Sequence, residues 1–417
     1  MKRTVNIGIL GFGNIGSAVD RLISVNGQEI LEKTGIELKV KKIADISDSV
    51  KHPLLTKNAD EVINDPEISV VVETIGGEKP ALDFILSAIK KGKHVVTSNK
   101  MVIALHLEEI LKAAKENKVC VLFEASVGGG IPILTALRES LSANKITEVF
   151  GIVNGTTNYI LSRMTDEGLS FEMALTEAQR QGFAEANPKL DIEGYDAAYK
   201  AAILAAVAFG AKVGIDEIPF EGITKITADD IRYAEEMGYS IKLIASAKKI
   251  AEKVEVSVHP TLIPSSHALS SVSGPMNAIY VKGNMVGELM FYGAGAGGNP
   301  TASAVVSDIL QIVSGKCQTN ELELKKFKAN NPAESSSRFY LRMEVLDKTG
   351  VLAEISKIFA EEKVSIAGVK QKETVDEITT LVIVVHEACD ADLNKALGRI
   401  KELPVVKNIC NIIRVGL

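Results

Sequence analysis

Tryptophan is absent from the 417 residues, and aromatic residues make up only 5%. With 46% hydrophobic and 24% charged residues, the chain is still too apolar to be disordered. Cysteine is scarce. Cys120, Cys317, Cys389 and Cys410 lie far apart, with no metal spacing and no resemblance to a disulfide framework. A reducing, cytoplasmic location is therefore expected. The six histidines are dispersed and form no metal set, and no G-x-S-x-G nucleophile turn occurs. Cationic excess is lacking too: 47 basic residues face 53 acidic ones, a net charge of −6. Nothing there favours nucleic acid or an anionic membrane as partner. The longest apolar run, Ala201 to Phe209, is far short of a membrane span. Secretory patterning, solenoid repeats and low-complexity tracts are all missing.

The length implies two to three domains, at roughly 150 residues each. Short apolar runs at Val5 to Leu10, Glu37 to Ala44, Val70 to Glu73, His94 to Thr97 and Val119 to Phe123 read as strands. Helical patterns separate them, at Ser17 to Ser24, Ala81 to Lys91 and Leu105 to Asn117. Such alternation predicts a doubly wound parallel sheet over residues 1–132. From Ile133 the pattern changes to longer helices, such as Tyr195 to Phe209, mixed with strand-like runs at Thr147 to Val153, Val254 to Val258 and Asn277 to Gly283. Residues 133–298 therefore read as an α+β substrate domain. An apolar helix at Thr301 to Val313 belongs to a segment, 299–325, expected to pack back on the first domain. A polar linker follows at 326–337. The remaining residues, 338–417, run strand, helix, strand, strand, helix, strand.

Gly11-Phe12-Gly13-Asn14-Ile15-Gly16 matches G-x-G-x-x-G between a predicted strand and a predicted helix. Gly11 allows the tight turn, Gly13 close approach to a pyrophosphate, and Gly16 the packing of helix on strand. Free N–H groups at the helix start then attract phosphates, as in a Rossmann-type domain. Asp45, ending the second strand, is the candidate to accept ribose hydroxyls and favour NAD. It lies far from the glycines because Asn26 to Gly35 lengthens the connection. Lys41, Lys42 and Lys51 could instead hold a 2′-phosphate, or simply form a solvated face.

Several constellations carry chemistry. Thr97-Ser98-Asn99-Lys100 follows the fourth strand, beyond which active-site residues of parallel sheets gather. Glu124-Ala-Ser-Val127-Gly-Gly129-Gly-Ile131-Pro joins a carboxylate to backbone carbonyls freed by glycines, a hard oxygen set for a weakly held cation. The alternative is a flexible hinge. Asn154-Gly-Thr-Thr-Asn158-Tyr159 opens a helix, either to bind a carboxylate or as an ordinary cap. The densest cluster runs from Gly182 to Lys200. Asp196 and Lys200 are four apart on one helix face. That helix is apolar nearly all round and hence buried, so Lys200 needs partners or must lose its proton. Glu185, Asp191 and Asp196 could receive an ammonium group, and Lys200 could exchange a proton with an oxygen.

Together these residues resemble homoserine dehydrogenase in its longer form, with a C-terminal ACT domain. The resemblance rests on Gly11 to Gly16, TSNK at 97–100, EASVGGGIP at 124–132, NGTTNY at 154–159, Gly182 to Lys200, and GAGAGGNPTASAVVSD at 293–308. It implies interconversion of L-homoserine and L-aspartate 4-semialdehyde with NADP(H), NAD(H) or both. Lys200 is then the proton donor or acceptor and Lys100 a second active-site lysine. Glu185, Asp191 and Asp196 bind substrate, and Gly182 and Gly298 line the cleft. Glu124 with the carbonyls of Val127, Gly129 and Ile131 resembles the family's sodium site. Asp347 to Gly350 matches the first turn of an ACT domain, for which L-threonine is the implied effector, and a homodimer or homotetramer is implied. Two rivals are a 2-hydroxy-acid dehydrogenase, which would use histidine chemistry, and a nucleotide- and amino-acid-sensing protein without turnover.

Overall fold

The structure, a computed structural model, describes residues 3–317, 322–329, 335–372 and 376–416. Parts of the predicted linker and of the C-terminal unit (330–334, 373–375 and 417) and 318–321 lie outside them.

The N-terminal sheet holds six parallel strands: β1 (Arg3–Leu10), β2 (Ile36–Ala44), β3 (Leu55–Thr56), β4 (Val70–Glu73), β5 (His94–Thr97) and β6 (Val121–Leu122). Their order is β3-β2-β1-β4-β5-β6. The central strands are covered on both faces, which is why β4 reads as an unbroken apolar run of buried residues ending in Glu73. Strand order reverses between β1 and β4. Ligands of such sheets sit at that point, outside the carboxyl ends. Helix α1 (Asn14–Thr34) runs for 21 residues, well past the expected Ser24. The stretch expected to be a connection is helical because Gln28 bonds Glu32 and Lys33 pairs with Glu29, each one turn apart. Gly35 ends the helix in the left-handed conformation, its N–H donating to the Leu31 carbonyl. Helix α2 (Lys100–Glu116) follows β5.

The middle of the chain builds an antiparallel sheet from β7 (Ile146–Ile152), β8 (Tyr239–Ile250), β9 (Lys253–Pro264), β10 (Met276–Gly283) and β11 (Gly287–Ala294). Expected strands at Val254 and Asn277 are present but longer or shifted, and β8 and β11 were not expected. The alanines and lysines of β8 carry little strand propensity; its place between β7 and β9 makes it a strand. Helices α3 (Gly155–Glu167), α4 (Tyr195–Phe209) and α5 (Ala228–Glu236) cover this sheet. Helix α6 (Gly298–Val313) returns to pack on α1. Beyond it, Cys317 is joined to Cys120 by a disulfide. This corrects the expectation of unpaired cysteines: 197 positions separate the two, and only the return of the chain brings them together.

The C-terminal unit comprises β12 (Ser336–Leu346), α7 (Val351–Glu361), β13 (Ile366–Gln371), β14 (Ile378–Val385), α8 (Asp390–Lys401) and β15 (Val406–Val415), in sheet order β15-β12-β14-β13. It does not hang from the linker. β15 pairs in parallel with β9 at Thr261–Arg414 and Leu262–Val415, so the two sheets form one 11-stranded sheet. The described linker residues also pair, Lys325–Lys326 with Ala211–Lys212 and Lys328–Ala329 with Lys253–Val254. A buried ion pair secures the seam. Arg342 donates from Nε to Asp230 Oδ1 (2.6 Å) and from Nη2 to Oδ2 (3.2 Å), while Asn411 donates to Oδ2 (2.9 Å). Among the described residues no helix is long and apolar enough to cross a membrane.

Candidate active site

The glycine turn leaves β1 at the switch point. Gly11 has φ +90°, and a Cβ there would come within 2.9 Å of the Thr74 and Ile75 backbone. A Cβ on Gly16 would collide with the Gly11 carbonyl, whereas the space beside Gly13 is open. Gly13 caps α1 without any side chain, so the first N–H groups face outward. This cradle fits a dinucleotide pyrophosphate. Ile15 packs into the core beneath it, and the Phe12 ring lies tilted against His52, centroids 5.3 Å apart. Gly298, at the start of α6, closes the same cleft: a Cβ there would meet Asn14 Oδ1 at 2.9 Å.

Asp45 stands at the end of β2, but its oxygens are partly used. Oδ2 accepts the Phe12 N–H (2.6 Å) and Oδ1 the Ser47 N–H (2.8 Å). Lys41 is bound to Asp65 and Glu67, and Lys42 lies 3.6 Å from Glu61, so neither points at the cleft as a free phosphate ligand. Lys57 is likewise engaged: its Nζ donates to the Ile46 (3.1 Å) and Ser47 (2.5 Å) carbonyls and lies 3.3 Å from Asp48.

The chemical centre gathers four elements. Helix α4 starts at Gly194 in the left-handed conformation and carries Asp196 and Lys200, both buried. Lys200 Nζ donates to Asp196 Oδ2 (2.7 Å) and to the Val153 carbonyl at the end of β7 (2.7 Å). Lys100, the first residue of α2, reaches across from the nucleotide domain to Asp196 Oδ1. One carboxylate thus receives a lysine on each oxygen. Asn154, between β7 and α3, donates from Nδ2 to Asp191 Oδ1 (2.7 Å) and Asp196 Oδ2 (2.8 Å). Its Oδ1 accepts the Thr157 N–H (2.8 Å), so it is also an ordinary cap.

Charge states follow from this packing. Burial alone would raise the Asp196 carboxyl, but Lys200 and Lys100 outweigh it and hold it far below the usual range. Burial and the neighbouring Asp196 charge raise Asp191. Burial lowers Lys200, Asp196 opposes that, and the positive Lys100 adds to the lowering. At Lys100 burial acts downward, yet Asp196 prevails and the ammonium is held above its ordinary value. Two lysines on one carboxylate are therefore pushed apart, one poised to lose a proton and one to keep it.

Other candidates sit at the rim. Glu185 is exposed, and Gly182 lies in an open left-handed turn after a helix that ends at Arg180. Neither touches the lysine centre through a hydrogen bond among the described residues. Thr97 donates to Glu73 Oε2 (2.5 Å), and Ser98 follows at the carboxyl end of β5. Glu73, wholly buried, also accepts the Ile75 N–H (2.8 Å) and is raised by burial; as the end of an apolar strand it gave no sign of this in the sequence.

Glu124 is likewise buried. Its oxygens accept N–H groups of Leu134 (2.8 Å) and Thr135 (2.6 Å) and the Thr135 hydroxyl (2.6 Å). Gly128 and Gly129 have φ of 72° and 57° and turn the loop bearing the Val127, Gly129 and Ile131 carbonyls. The Ile131 carbonyl accepts the Ile133 N–H (2.8 Å). No cluster of three or more acidic, histidine or cysteine ligands occurs among the described residues.

A dinucleotide turn facing a lysine–carboxylate centre across one cleft defines a nicotinamide-dependent oxidoreductase. Family models agree with the three parts of the chain: homoserine dehydrogenase, NAD binding domain, over residues 11–124; homoserine dehydrogenase over 132–310; and ACT domain over 339–405. A homoserine dehydrogenase of Corynebacterium glutamicum is 42% identical, over 99% of this chain and 95% of its own. The crystal structure of a homoserine dehydrogenase from Thiobacillus denitrificans superposes with a TM-score of 0.94 at 40% identity, covering 99% of this chain and 98% of that one. A hyperthermophilic archaeal homoserine dehydrogenase in complex with NADPH matches with a TM-score of 0.63 at 30% identity, over 75% of this chain and 98% of that one. The chain belongs to the homoserine dehydrogenase family. Its reaction is the nicotinamide-dependent interconversion of L-homoserine and L-aspartate 4-semialdehyde, and it carries an ACT domain.

Proposed function

We propose that Lys200 exchanges the proton of the substrate's terminal oxygen, and that Lys100 holds that oxygen's charge from the nucleotide side. The observation that carries this is the sharing of Asp196 by both lysines. The nucleotide, held on the Gly11 to Gly16 turn with Thr97, Ser98 and Gly298 around its nicotinamide end, accepts or supplies the hydride. In oxidation, neutral Lys200 takes the hydroxyl proton as C4 becomes a carbonyl. In reduction, the charged form returns it. Asp191, Asp196 and Glu185 receive the substrate's ammonium group, with Gly182 in the turn beside them. Placement of substrate and nucleotide across one cleft supplies much of the rate.

Asp45 serves ribose hydroxyls, which favours NAD(H), and NADP(H) is the second nucleotide proposed. The NADPH of the archaeal relative supports the second. A carboxylate has about four lone-pair sites, and Glu124 uses three. One is left for a sodium ion shared with the Val127, Gly129 and Ile131 carbonyls. L-Threonine is the effector proposed for the ACT domain. A homodimer or homotetramer accords with the exposed apolar residues Met285, Met290 and Tyr292 around β11.

The test follows reduced-nicotinamide absorbance with L-homoserine, using NAD and NADP in parallel, with and without sodium and L-threonine. Reduction is expected with both nucleotides. Its rate should rise with pH through a midpoint below the ordinary lysine value of 10.5, because the lowered Lys200 must be neutral to act. The reverse reaction should fall over the same range. A flat oxidation profile would remove Lys200 as the base.

A further inference from the structure

Glu73 ends β4 at the switch point of the nucleotide sheet. It is paired on one side with Leu10 of β1 and on the other with Thr97 of β5. The glycine turn follows the first neighbour, and the residues leading to Lys100 follow the second. The Glu73 side chain is wholly buried. Hydrogen-bond donors surround it, with no cation beside it among the described residues. Burying a carboxyl away from any cation costs stability. The three valines before it show that an apolar side chain suits this strand. Stability alone therefore does not account for a carboxyl here; the groups it holds do.

One oxygen closes a turn. Oε1 accepts the N–H groups of Ile75 (2.8 Å) and Gly76 (3.3 Å). That turn, 74–77, leans on the glycine turn: Thr74 donates its N–H to the Leu10 carbonyl (2.8 Å) and its hydroxyl to the Gly11 carbonyl (2.8 Å). The other oxygen, Oε2, accepts the Thr97 hydroxyl (2.5 Å), whose own oxygen accepts the Asn99 N–H (2.9 Å). Asn99 caps α2, its Oδ1 accepting the Val102 N–H (3.2 Å). Its Nδ2 donates back to the Gly77 carbonyl (2.7 Å), which closes the ring of contacts. Lys100 is the next residue and the first of α2.

We propose that Glu73 is a positioning residue for the reaction: it braces the 74–77 turn against residues 97–99 and so aims Lys100 across the cleft at Asp196. It acts through geometry. The largest charges acting on Lys100 are those of Asp196, Asp191 and Glu185. A lysine is a point charge on a flexible four-carbon stem, so its fixed point is the backbone that bears it. A misplacement of about 1 Å in an active site can cost roughly 100-fold. The kinetic consequence rests on the role proposed above for Lys100.

The experiment is a double-variant cycle on the full-length enzyme. It reads kcat and KM for L-homoserine oxidation at saturating nucleotide, with urea midpoints to certify folding. The variants are Glu73→Met, Glu73→Gln, Lys100→Met, and Glu73→Met combined with Lys100→Met. Methionine fills the space and removes both acceptors. Glutamine keeps an oxygen for the Ile75 and Gly76 N–H groups and turns a donor toward the Thr97 hydroxyl oxygen, so the brace survives without charge. Glu73→Met should lower kcat roughly 10- to 100-fold, and Glu73→Gln should stay within about threefold of the wild type. The combined variant should fall no more than about twofold below Lys100→Met, because both changes disable one device. Losses that multiply independently would overturn the proposal. So would a lowered urea midpoint with near-normal kcat in Glu73→Met, or equal losses in the methionine and glutamine variants. Lys100→Met turning over at the wild-type rate would overturn the reading of Lys100, and the proposal with it. Should Glu73→Met fail to fold, Thr97→Val, which removes the hydroxyl from the same brace, takes its place in the cycle.

Discussion

Asn154 is the residue that lets two carboxylates share the centre. Its amide donates to Asp191 and Asp196 at once, which offsets their repulsion without adding charge. Replacing it with leucine should leave the aspartates facing each other unbridged. Asp191 would then hold its proton to still higher pH, and Asp196 would lose a donor that orients it toward Lys200. We expect kcat to fall roughly 10- to 100-fold, as when one hydrogen bond to a charged group is lost, and the pH midpoint of oxidation to move. A variant with unchanged kcat and pH profile would reduce Asn154 to a helix cap. The contrast with Asp196 and Lys200 explains what the sequence could reveal. Those two are four apart on one apolar helix, and their pairing is legible from spacing alone. Lys100, Asn154 and Asp196 come from three separate elements, and only the fold brings them into contact.

At the scale of elements, α6 shows how a returning segment stiffens the junction of two domains. Asp308, buried on α6, accepts the Glu124 N–H (2.8 Å) at the end of the nucleotide sheet. Burial, with the Glu124 charge beside it, raises this carboxyl to about 8. The folded state therefore keeps a proton that the unfolded chain, at 3.8, gives up. Stability from this site is fully present below about pH 4 and is lost as pH rises through about 8. Asp308→Asn, which imitates the protonated acid, should flatten that decline, so urea midpoints of variant and wild type should diverge progressively between pH 5 and 8.5. Parallel curves would show that Asp308 does not titrate there. Element boundaries were less legible than element order. The strands of the nucleotide sheet announce themselves as short apolar runs. By contrast, α1 extends through charged side-chain pairs and β8 is imposed by its neighbours, and neither leaves a clear local pattern.

Over the whole molecule, the ACT unit is an extension of the catalytic sheet. The sequence contains the order of its elements, and they match an ACT domain, but pairing of β15 with β9 joins residues about 150 positions apart and leaves no periodic mark. Asp230 and Arg342 hold the seam in near-total burial. Removing one partner of such a pair strands the other charge and costs roughly 3–5 kcal/mol. Asp230→Asn should therefore loosen the ACT unit before the catalytic core unfolds, seen as faster proteolysis at the lysines of 322–329 and an early transition in urea. One transition at the wild-type midpoint would mean that the seam is held elsewhere.

The central claim is that a lysine buried on α4, sharing Asp196 with a lysine from the nucleotide domain, moves the proton in homoserine oxidation. Its most direct test is kcat for L-homoserine oxidation by Lys200→Ala, with nucleotide affinity measured on the same preparation. General acid–base groups contribute about 10²- to 10⁴-fold. The account predicts a loss in that range with nucleotide binding within twofold of the wild type. Turnover near the wild-type rate, with nucleotide bound as before, would contradict it.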